Sequence, residues 1–250
     1  MNRLALIVAR LALLGLVLAA WELLPRAGIV NPLLLPPLSD VLAMLAQILG
    51  RSQVQEAVAV TAGEVILAFM IAVPLGAAIG VLAAEHDYFG QVFKPMLFYV
   101  FSVPKSIFLP MFILVFGVGF AQKVGFGFFS TIFIVIMSTT TAVEQVKVEY
   151  LTVARSYGAT SAQTAFRVYL PSMLPVLLEA LRISMIFNLT GVILAEMYAS
   201  RDGIGHQIAT WGENFQMKQL LAGVVMVAAI AMAFNELVRW VETRCSHWRT

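Results

Sequence analysis

The chain has 250 residues, of which 60% are hydrophobic and only 12% are charged, and its mean hydropathy is +0.89. A soluble domain has about 45–50% apolar and about 25% charged residues, so this composition excludes a soluble enzyme and predicts an integral membrane protein. The net charge of +2 is not the basic signature of a nucleic-acid-binding protein. The single cysteine excludes an intrachain disulfide framework, and the three histidines lack the spacing of a metal site.

Six stretches of the chain are apolar and long enough to cross about 30 Å of hydrocarbon, which takes about 20 helical residues. The predicted fold class is therefore an all-α integral membrane protein with six transmembrane helices. The first stretch could instead be a signal peptide, because Arg3 precedes it and Ala19-Ala20 offers a cleavage point. Its length and the proline-rich segment after it favour a span. The six stretches lie at about 4–24, 57–84, 96–118, 124–143, 172–198 and 217–241.

Polar residues and prolines interrupt this apolar pattern at defined places. Ser39 and Asp40 are predicted to cap a short helix over 41–49, which is too short to span a bilayer and is expected at the membrane interface. The third span is predicted to begin after Pro95 and to be a broken helix, because Pro104 lies inside it.

Six spans place both termini on the same side, and an excess of Lys and Arg marks the cytoplasmic side. With a cytoplasmic N-terminus, eight basic residues lie inside against five outside, so we expect N-in and C-in. The inner set is Arg3, Lys94, Lys147, Arg155, Arg167, Arg239, Arg244 and Arg249, and the outer set is Arg26, Arg51, Lys123, Arg201 and Lys218.

The segment 144–169, between the fourth and fifth spans, fits neither lipid nor a short turn. Residues 149–157 are predicted to form a helix, and Gly158 lies where a C-terminal cap belongs. Thr160 to Gln163 offers a capping box for a second short helix, which is expected to end at Leu170-Pro171. This pattern predicts a compact projection on the inner face of the membrane.

At these residues the sequence resembles the membrane-spanning permease subunits of bacterial ABC importers. Their signature loop reads E-A-A, three residues, G, nine residues, I, one residue, L-P. Five residues stand at matching positions with the family's spacing: Ala154, Gly158, Val168, Leu170 and Pro171. Thr152 and Val153 replace the expected glutamate and first alanine, and Glu149, one helical turn earlier, could substitute for the acid.

The resemblance covers about residues 58–245 and is closest to the branch that imports sulfonates, taurine and nitrate. Relatives in this branch also import pyrimidine vitamin precursors and aromatic carboxylates. The segments that carry it are Pro74-Leu75-Gly76, Pro104 to Pro110 with Phe116 to Gly119, Ala154 to Ala159, Leu181 to Ile183, and Ala195-Glu196-Met197 with Gly203-Ile204-Gly205.

The resemblance implies a type I ABC importer permease fold with cytoplasmic coupling helices. The expected organisation is a first transmembrane helix with a periplasmic interfacial segment (1–56), a permease core (57–245) with the coupling loop at 144–171, and a cytoplasmic tail (246–250). Such a chain is a non-catalytic subunit of the bacterial inner membrane. Its expected partners are two cytosolic ATPase subunits, a second copy of itself, an external substrate-binding protein and the lipid bilayer, and nucleic acid is not among them.

The chain itself is expected to bind no cofactor, with ATP and Mg²⁺ held by the partner ATPase. The sequence has no G-x-x-x-x-G-K-[ST] phosphate loop, in agreement with this expectation.

Two groups of site residues follow. The resemblance assigns contact with the ATPase to Glu149, Thr152, Ala154, Arg155, Gly158, Ala159, Val168, Leu170 and Pro171. Polar residues inside spans are candidates for the translocation pathway. These candidates are Glu64, Lys105, Arg182, Asn188, Thr190 and Glu196. Lys105 could meet an anion such as a sulfonate, whereas the Arg182 side chain could extend to the inner surface and Glu196 lies near the outer end of its span.

An apolar chain of this length could also belong to two other classes of membrane protein. An intramembrane enzyme would need catalytic residues, and neither H-E-x-x-H nor G-x-S-x-G occurs in the sequence. An ion-coupled carrier would be expected to show an internal repeat, which is not evident between the two halves of the chain.

Overall fold

The structure is a computed structural model that describes residues 3–245. This part of the chain is mostly helical, and the helices are joined by short turns. In chain order they are α1 (Arg3–Arg26), α2 (Leu38–Leu49), α3 (Ser52–Glu85), α4 (Asp87–Ser102), α5 (Leu109–Phe116), α6 (Phe120–Glu144), α7 (Val148–Ser156), α8 (Ser161–Thr164), α9 (Leu170–Tyr198), α10 (Ile204–Glu213) and α11 (Met217–Cys245). Arg249, His247 and the predicted tail 246–250 lie outside the described residues.

Five helices within residues 3–245 are long and apolar enough to cross a membrane: α1, α3, α6, α9 with the turns that precede it, and α11. The pair α4 and α5 forms a sixth candidate span, which is bent by 86° at its break. The predicted fold class, an all-α protein with up to six spans, is therefore confirmed.

The break between α4 and α5 is caused by Pro104. Val103 has the extended backbone that a residue before proline prefers, and a 3-10 turn, Lys105–Phe108, follows the proline. The helix itself begins at Asp87, not after Pro95 as expected. Gly90 explains this difference, because a Cβ there would lie 2.4 Å from the Ala83 carbonyl oxygen, so only glycine lets the first turn of α4 pack against α3.

The centre of the fold is α6, which packs between α3 and α9. Small residues bring these helices close, as is common in membranes. A Cβ at Gly127 would lie 2.6 Å from a Val192 methyl, and one at Gly76 would lie 2.8 Å from the Val135 Cβ. This close packing holds the polar side chains of the three helices in fixed positions relative to one another.

The short helix α2 departs from the prediction at its start. Pro37, not Ser39, is the N-cap residue, and Ser39 lies inside the helix. The carboxylate of Glu22 in α1 replaces the local cap, because it accepts hydrogen bonds from the Ser39 backbone N–H and hydroxyl, both at 2.9 Å. Val41 and Ile48 are buried, so α2 packs on α11 and shares a hydrophobic cluster with residues of α10.

Candidate functional site

The first helix of the coupling loop, defined as residues 144–171, ends in a glycine-dependent turn. The Ala159 N–H donates to the Ala154 carbonyl at 3.0 Å, and the Gly158 N–H donates to the Arg155 carbonyl at 2.9 Å. This is the Schellman pattern, which requires a left-handed residue after the helix. Gly158 has φ of +72°, and the position of its missing Cβ is open space. The predicted cap is therefore confirmed, and glycine is needed there for backbone conformation alone.

The second helix of the loop begins at the predicted capping box. The Gln163 backbone N–H donates to the Thr160 hydroxyl, and the Gln163 side-chain oxygen accepts from the Thr160 N–H at 2.9 Å. The expectation that this helix ends at Leu170-Pro171 is wrong. A π-helical turn, Ala165–Tyr169, joins α8 to α9. The wider turn tolerates Pro171, and residues 161–198 form one continuous helix.

The coupling loop has an anchored side and an exposed side. Met173, Ala142 and Val146 form a buried cluster on which Leu151 and Tyr169 pack, so the loop is fixed to α6 and α9. The opposite side exposes large apolar side chains to solvent, with exposed fractions of 88% for Tyr157 and 72% for Phe166. Of the predicted contact residues, Glu149, Thr152, Arg155, Gly158 and Leu170 are exposed, and Ala154, Ala159, Val168 and Pro171 are half-buried. The Thr152 hydroxyl donates to the Val148 carbonyl at 3.0 Å.

A groove of about 370 Å³ opens beside the break between α4 and α5. Lys105 and Thr190 both line it, and the Lys105 ammonium lies 4.3 Å from the centre of the Phe101 ring and 5.5 Å from that of Phe187. Ser102, Ser106 and Ser130 add hydroxyl groups to the lining. None of the lining residues is acidic, so Lys105 gives this groove a positive charge.

The other four predicted pathway residues lie elsewhere, and one of them, Glu64, pairs with Lys123. Arg182 lines a separate, largely apolar cavity of about 260 Å³ between α3, α9 and α11. Asn188 is fully buried, and its amide donates to the Val65 carbonyl of α3 at 2.8 Å. Glu196 is fully buried near the C-terminal end of α9. The structure thus brings together Lys105 and Thr190 but not the whole predicted set.

A buried ionic network joins α3, α6 and the segment after α9. The prediction that Lys123 lies in an outer loop is wrong, because its side chain is fully buried in α6. Its ammonium lies 2.5 Å from Glu64 Oε1 and 2.5 Å from Asp202 Oδ1. The sequence did hold a signal, since a glutamate inside a span needs a partner. Removing Lys123 from the outer basic residues leaves four, against eight inside.

Glu196 holds the segment that follows α9. Its carboxylate accepts hydrogen bonds from the Thr61 hydroxyl at 2.6 Å and from the Gly205 backbone N–H at 2.7 Å. The Thr61 hydroxyl in turn accepts from the Ile204 N–H at 2.9 Å. A Cβ at Gly203 or Gly205 would lie within 2.8 Å of the Glu196 side chain, so the two glycines leave room for the carboxylate. This geometry explains the pairing of Glu196 with Gly203-Ile204-Gly205 in the sequence.

Asp202 is the solvent-exposed member of the network, with 62% of its side chain accessible. The hydrogen bond from Lys123 lowers the pKa of Asp202, partial desolvation opposes that shift, and the Lys123 charge adds to it. Within residues 3–245, no group of three or more His, Cys, Asp or Glu side chains is placed to hold a metal ion.

Comparisons with known proteins agree on one family. A family model described as "Binding-protein-dependent transport system inner membrane component" matches residues 72–247. The chain is 28% identical over 240 residues to the taurine transport system permease protein TauC of Escherichia coli (strain K12), covering 94% of this chain and 87% of TauC. It is 25% identical over 239 residues to the putative aliphatic sulfonates transport permease protein SsuC of Bacillus subtilis (strain 168), covering 96% and 87%.

A solved structure has the same fold. The inward-facing MetNI methionine ABC transporter contains a chain that superposes with a TM-score of 0.63 at 17% sequence identity. The superposition covers 82% of the present chain and 97% of that one.

Proposed function

We propose a specific transport role for this chain, which belongs to the family of binding-protein-dependent transport system inner membrane components. It is an ABC importer permease and a transport component, not a catalytic one. The proposed role is to move a small organic or inorganic anion of the sulfonate, taurine or nitrate type across the bacterial inner membrane, after delivery by an external binding protein.

The observation that carries this role is the construction of the coupling loop. Its exposed apolar side, which includes Tyr157 and Phe166, suits docking on another protein, and its buried side is packed against α6 and α9. A force applied to the exposed side would therefore reach the spans without being lost in a flexible linker. We assign this force to a cytosolic ATPase that binds ATP and Mg²⁺.

The positive groove at Lys105 supports an anionic substrate. A half-buried ammonium beside hydroxyl groups can donate charge-assisted hydrogen bonds to sulfonate oxygens. The relatives TauC and SsuC are named for taurine and aliphatic sulfonates, in agreement with this chemistry. An aromatic carboxylate is the second candidate, because Phe101 and Phe187 flank the cation. A pyrimidine vitamin precursor, or an ion-coupled carrier mechanism, has less support.

The proposed assembly contains two copies of this chain and two ATPase subunits. One coupling loop engages one ATPase, and closed twofold symmetry is the commonest arrangement of identical subunits. The orientation is N-in and C-in, which places the coupling loop in the cytosol. The basic residues favour it, because Lys123 is buried and no longer counts among the outer charges.

The test is ATP-dependent uptake of taurine into liposomes that contain the permease, its ATPase and its binding protein. Gly158→Val forces a β-branched residue into positive φ, at a cost of about 1–3 kcal/mol, which corresponds to about a 5- to 150-fold loss of the native loop conformation. We expect uptake and substrate-stimulated ATP hydrolysis to fall together, while membrane insertion is unchanged.

Gly158→Asn is the matched control, because asparagine adopts positive φ more readily than valine and no neighbouring atom obstructs it. It should retain most of the uptake. If Gly158→Val transports as well as the wild type, or if ATP hydrolysis stays coupled, the loop does not transmit the force. If no anion is taken up by the wild-type complex, the substrate class is wrong.

A further inference from the structure

The ionic network at the outer ends of α3, α6 and α9 contains two buried carboxyl groups but one buried ammonium group. Glu64, Lys123 and Glu196 are all fully buried, whereas Asp202 is largely exposed and its charge is solvated by water. If all three buried groups were ionised, two negative charges would face one positive charge. An uncompensated buried charge costs several kcal/mol even after the protein relaxes around it.

The geometry shows where this excess is concentrated. Glu196 accepts a hydrogen bond at 2.6 Å from the Thr61 hydroxyl, and Thr61 lies about one helical turn before Glu64 on α3, so the two glutamates are neighbours and their carboxyl groups interact. Glu64 Oε1 is 2.5 Å from the Lys123 ammonium, but Glu64 Oε2 is fully buried and faces no hydrogen-bond donor in the described part of the chain. Two ionised carboxylates this close repel each other, whereas one proton between them turns the repulsion into a hydrogen bond.

The remaining charged neighbours do not remove the excess. Lys123 from α6 is shared between Glu64 and Asp202. His206 of α10 acts electrostatically on Asp202, the exposed member of the network. Glu196 receives only neutral donors, the Thr61 hydroxyl and the Gly205 N–H. A proton on one of the two glutamates is the simplest way to balance the buried charge, and it also supplies the donor that Glu64 Oε2 lacks.

We propose that Glu64 and Glu196 bind one proton between them at neutral pH and so form a proton-binding site at the outer ends of α3 and α9. Loss of this proton makes the two carboxylates repel each other. Glu196 also accepts a hydrogen bond from the Gly205 N–H, so this repulsion acts on the carboxyl group that attaches Gly205 to the spans. The inference goes beyond the transport role, and its test does not require transport.

Infrared spectroscopy of the purified chain in detergent micelles tests the site directly. At neutral pH the wild type should show the C=O stretch of a protonated carboxylic acid, shifted on exchange into D₂O. Glu64→Gln and Glu196→Gln should each abolish this band completely, since the remaining glutamate has no carboxylate partner. Glu213→Gln, which changes an exposed carboxylate at the end of α10, should leave the band intact.

A second measurement applies to the unmodified chain and guards against variants that fold poorly. Thermal unfolding of the wild type should show a Tm that falls as the pH is raised from about 5 through neutral, because the folded state holds a proton that the unfolded state releases, and the Tm should level off once the folded state has lost that proton. Glu196→Gln, a neutral isostere, should make the Tm nearly independent of pH over this range. The proposal is overturned if the wild type shows no protonated-carboxyl band at neutral pH, or if the band survives in both glutamine variants.

Discussion

Replacing Lys123 by methionine removes the buried cation that Glu64 and Asp202 share. Asp202 is mostly exposed, so water replaces its contact with Lys123, and loss of this ion pair lowers the free energy of unfolding only slightly. Glu64 is fully buried and is left with an uncompensated charge. Breaking a buried pair by removing one partner costs about 3–5 kcal/mol. In a chain of this length about 1 kcal/mol lowers Tm by about 2–4 °C, so we expect a loss of about 6–20 °C.

The assay is thermal unfolding in detergent micelles, followed by tryptophan fluorescence. Lys218→Met is the matched control, because the Lys218–Asp40 pair is exposed, with about half of each side chain accessible, and its loss should cost less than about 1 kcal/mol. The double variant Glu64→Gln/Lys123→Met also removes the uncompensated charge of Glu64 and should recover much of the lost stability. The reasoning fails if Lys123→Met unfolds no earlier than Lys218→Met, or if the double variant is no more stable than the single one.

Two further predictions concern the charges of Lys105 in the groove and of Asp202 in the ionic network. Lys105→Gln removes a charge-assisted hydrogen bond worth about 1.5–3 kcal/mol and should raise the KM for anion uptake about tenfold to a hundredfold. Lys105→Arg keeps the positive charge and should retain most of the affinity. Equal uptake by both variants would exclude Lys105 from the pathway. Because the hydrogen bond from Lys123 lowers the pKa of Asp202, the Asp202 contribution to stability is fully present at neutral pH, declines as the pH falls below the ordinary value of 3.8, and is lost below the lowered pKa. Asp202→Asn should therefore flatten the acid side of the Tm–pH curve, and an unchanged acid side would contradict the Lys123–Asp202 pair.

The features that sequence predicted correctly are those set by neighbouring residues. Gly158 and the Thr160–Gln163 box act within one or two turns, so their residue types and spacing determine the local backbone. The same holds for the break at Pro104, which constrains Val103 directly.

The features that sequence missed depend on partners far apart in the chain. The Lys123–Asp202 pair spans 79 residues, and the cap on α2 comes from Glu22, 17 residues before Ser39. Lys123 lies only four residues into α6, where a hydropathy pattern cannot distinguish a loop charge from a buried one. Its burial is decided by the tertiary position of Glu64.

Because residues 161–198 form one continuous helix, the second half of the coupling loop and the fifth span can move together as one rod. At 1.5 Å per residue the 38 residues extend for about 57 Å. A tilt of only about 5° at the coupling-loop end of such a rod displaces its far end by about 5 Å, if the rod does not bend. Glu196 lies two residues from that far end and holds the Gly205 N–H, so a small rotation at one membrane surface becomes a displacement larger than a hydrogen-bond length at the other.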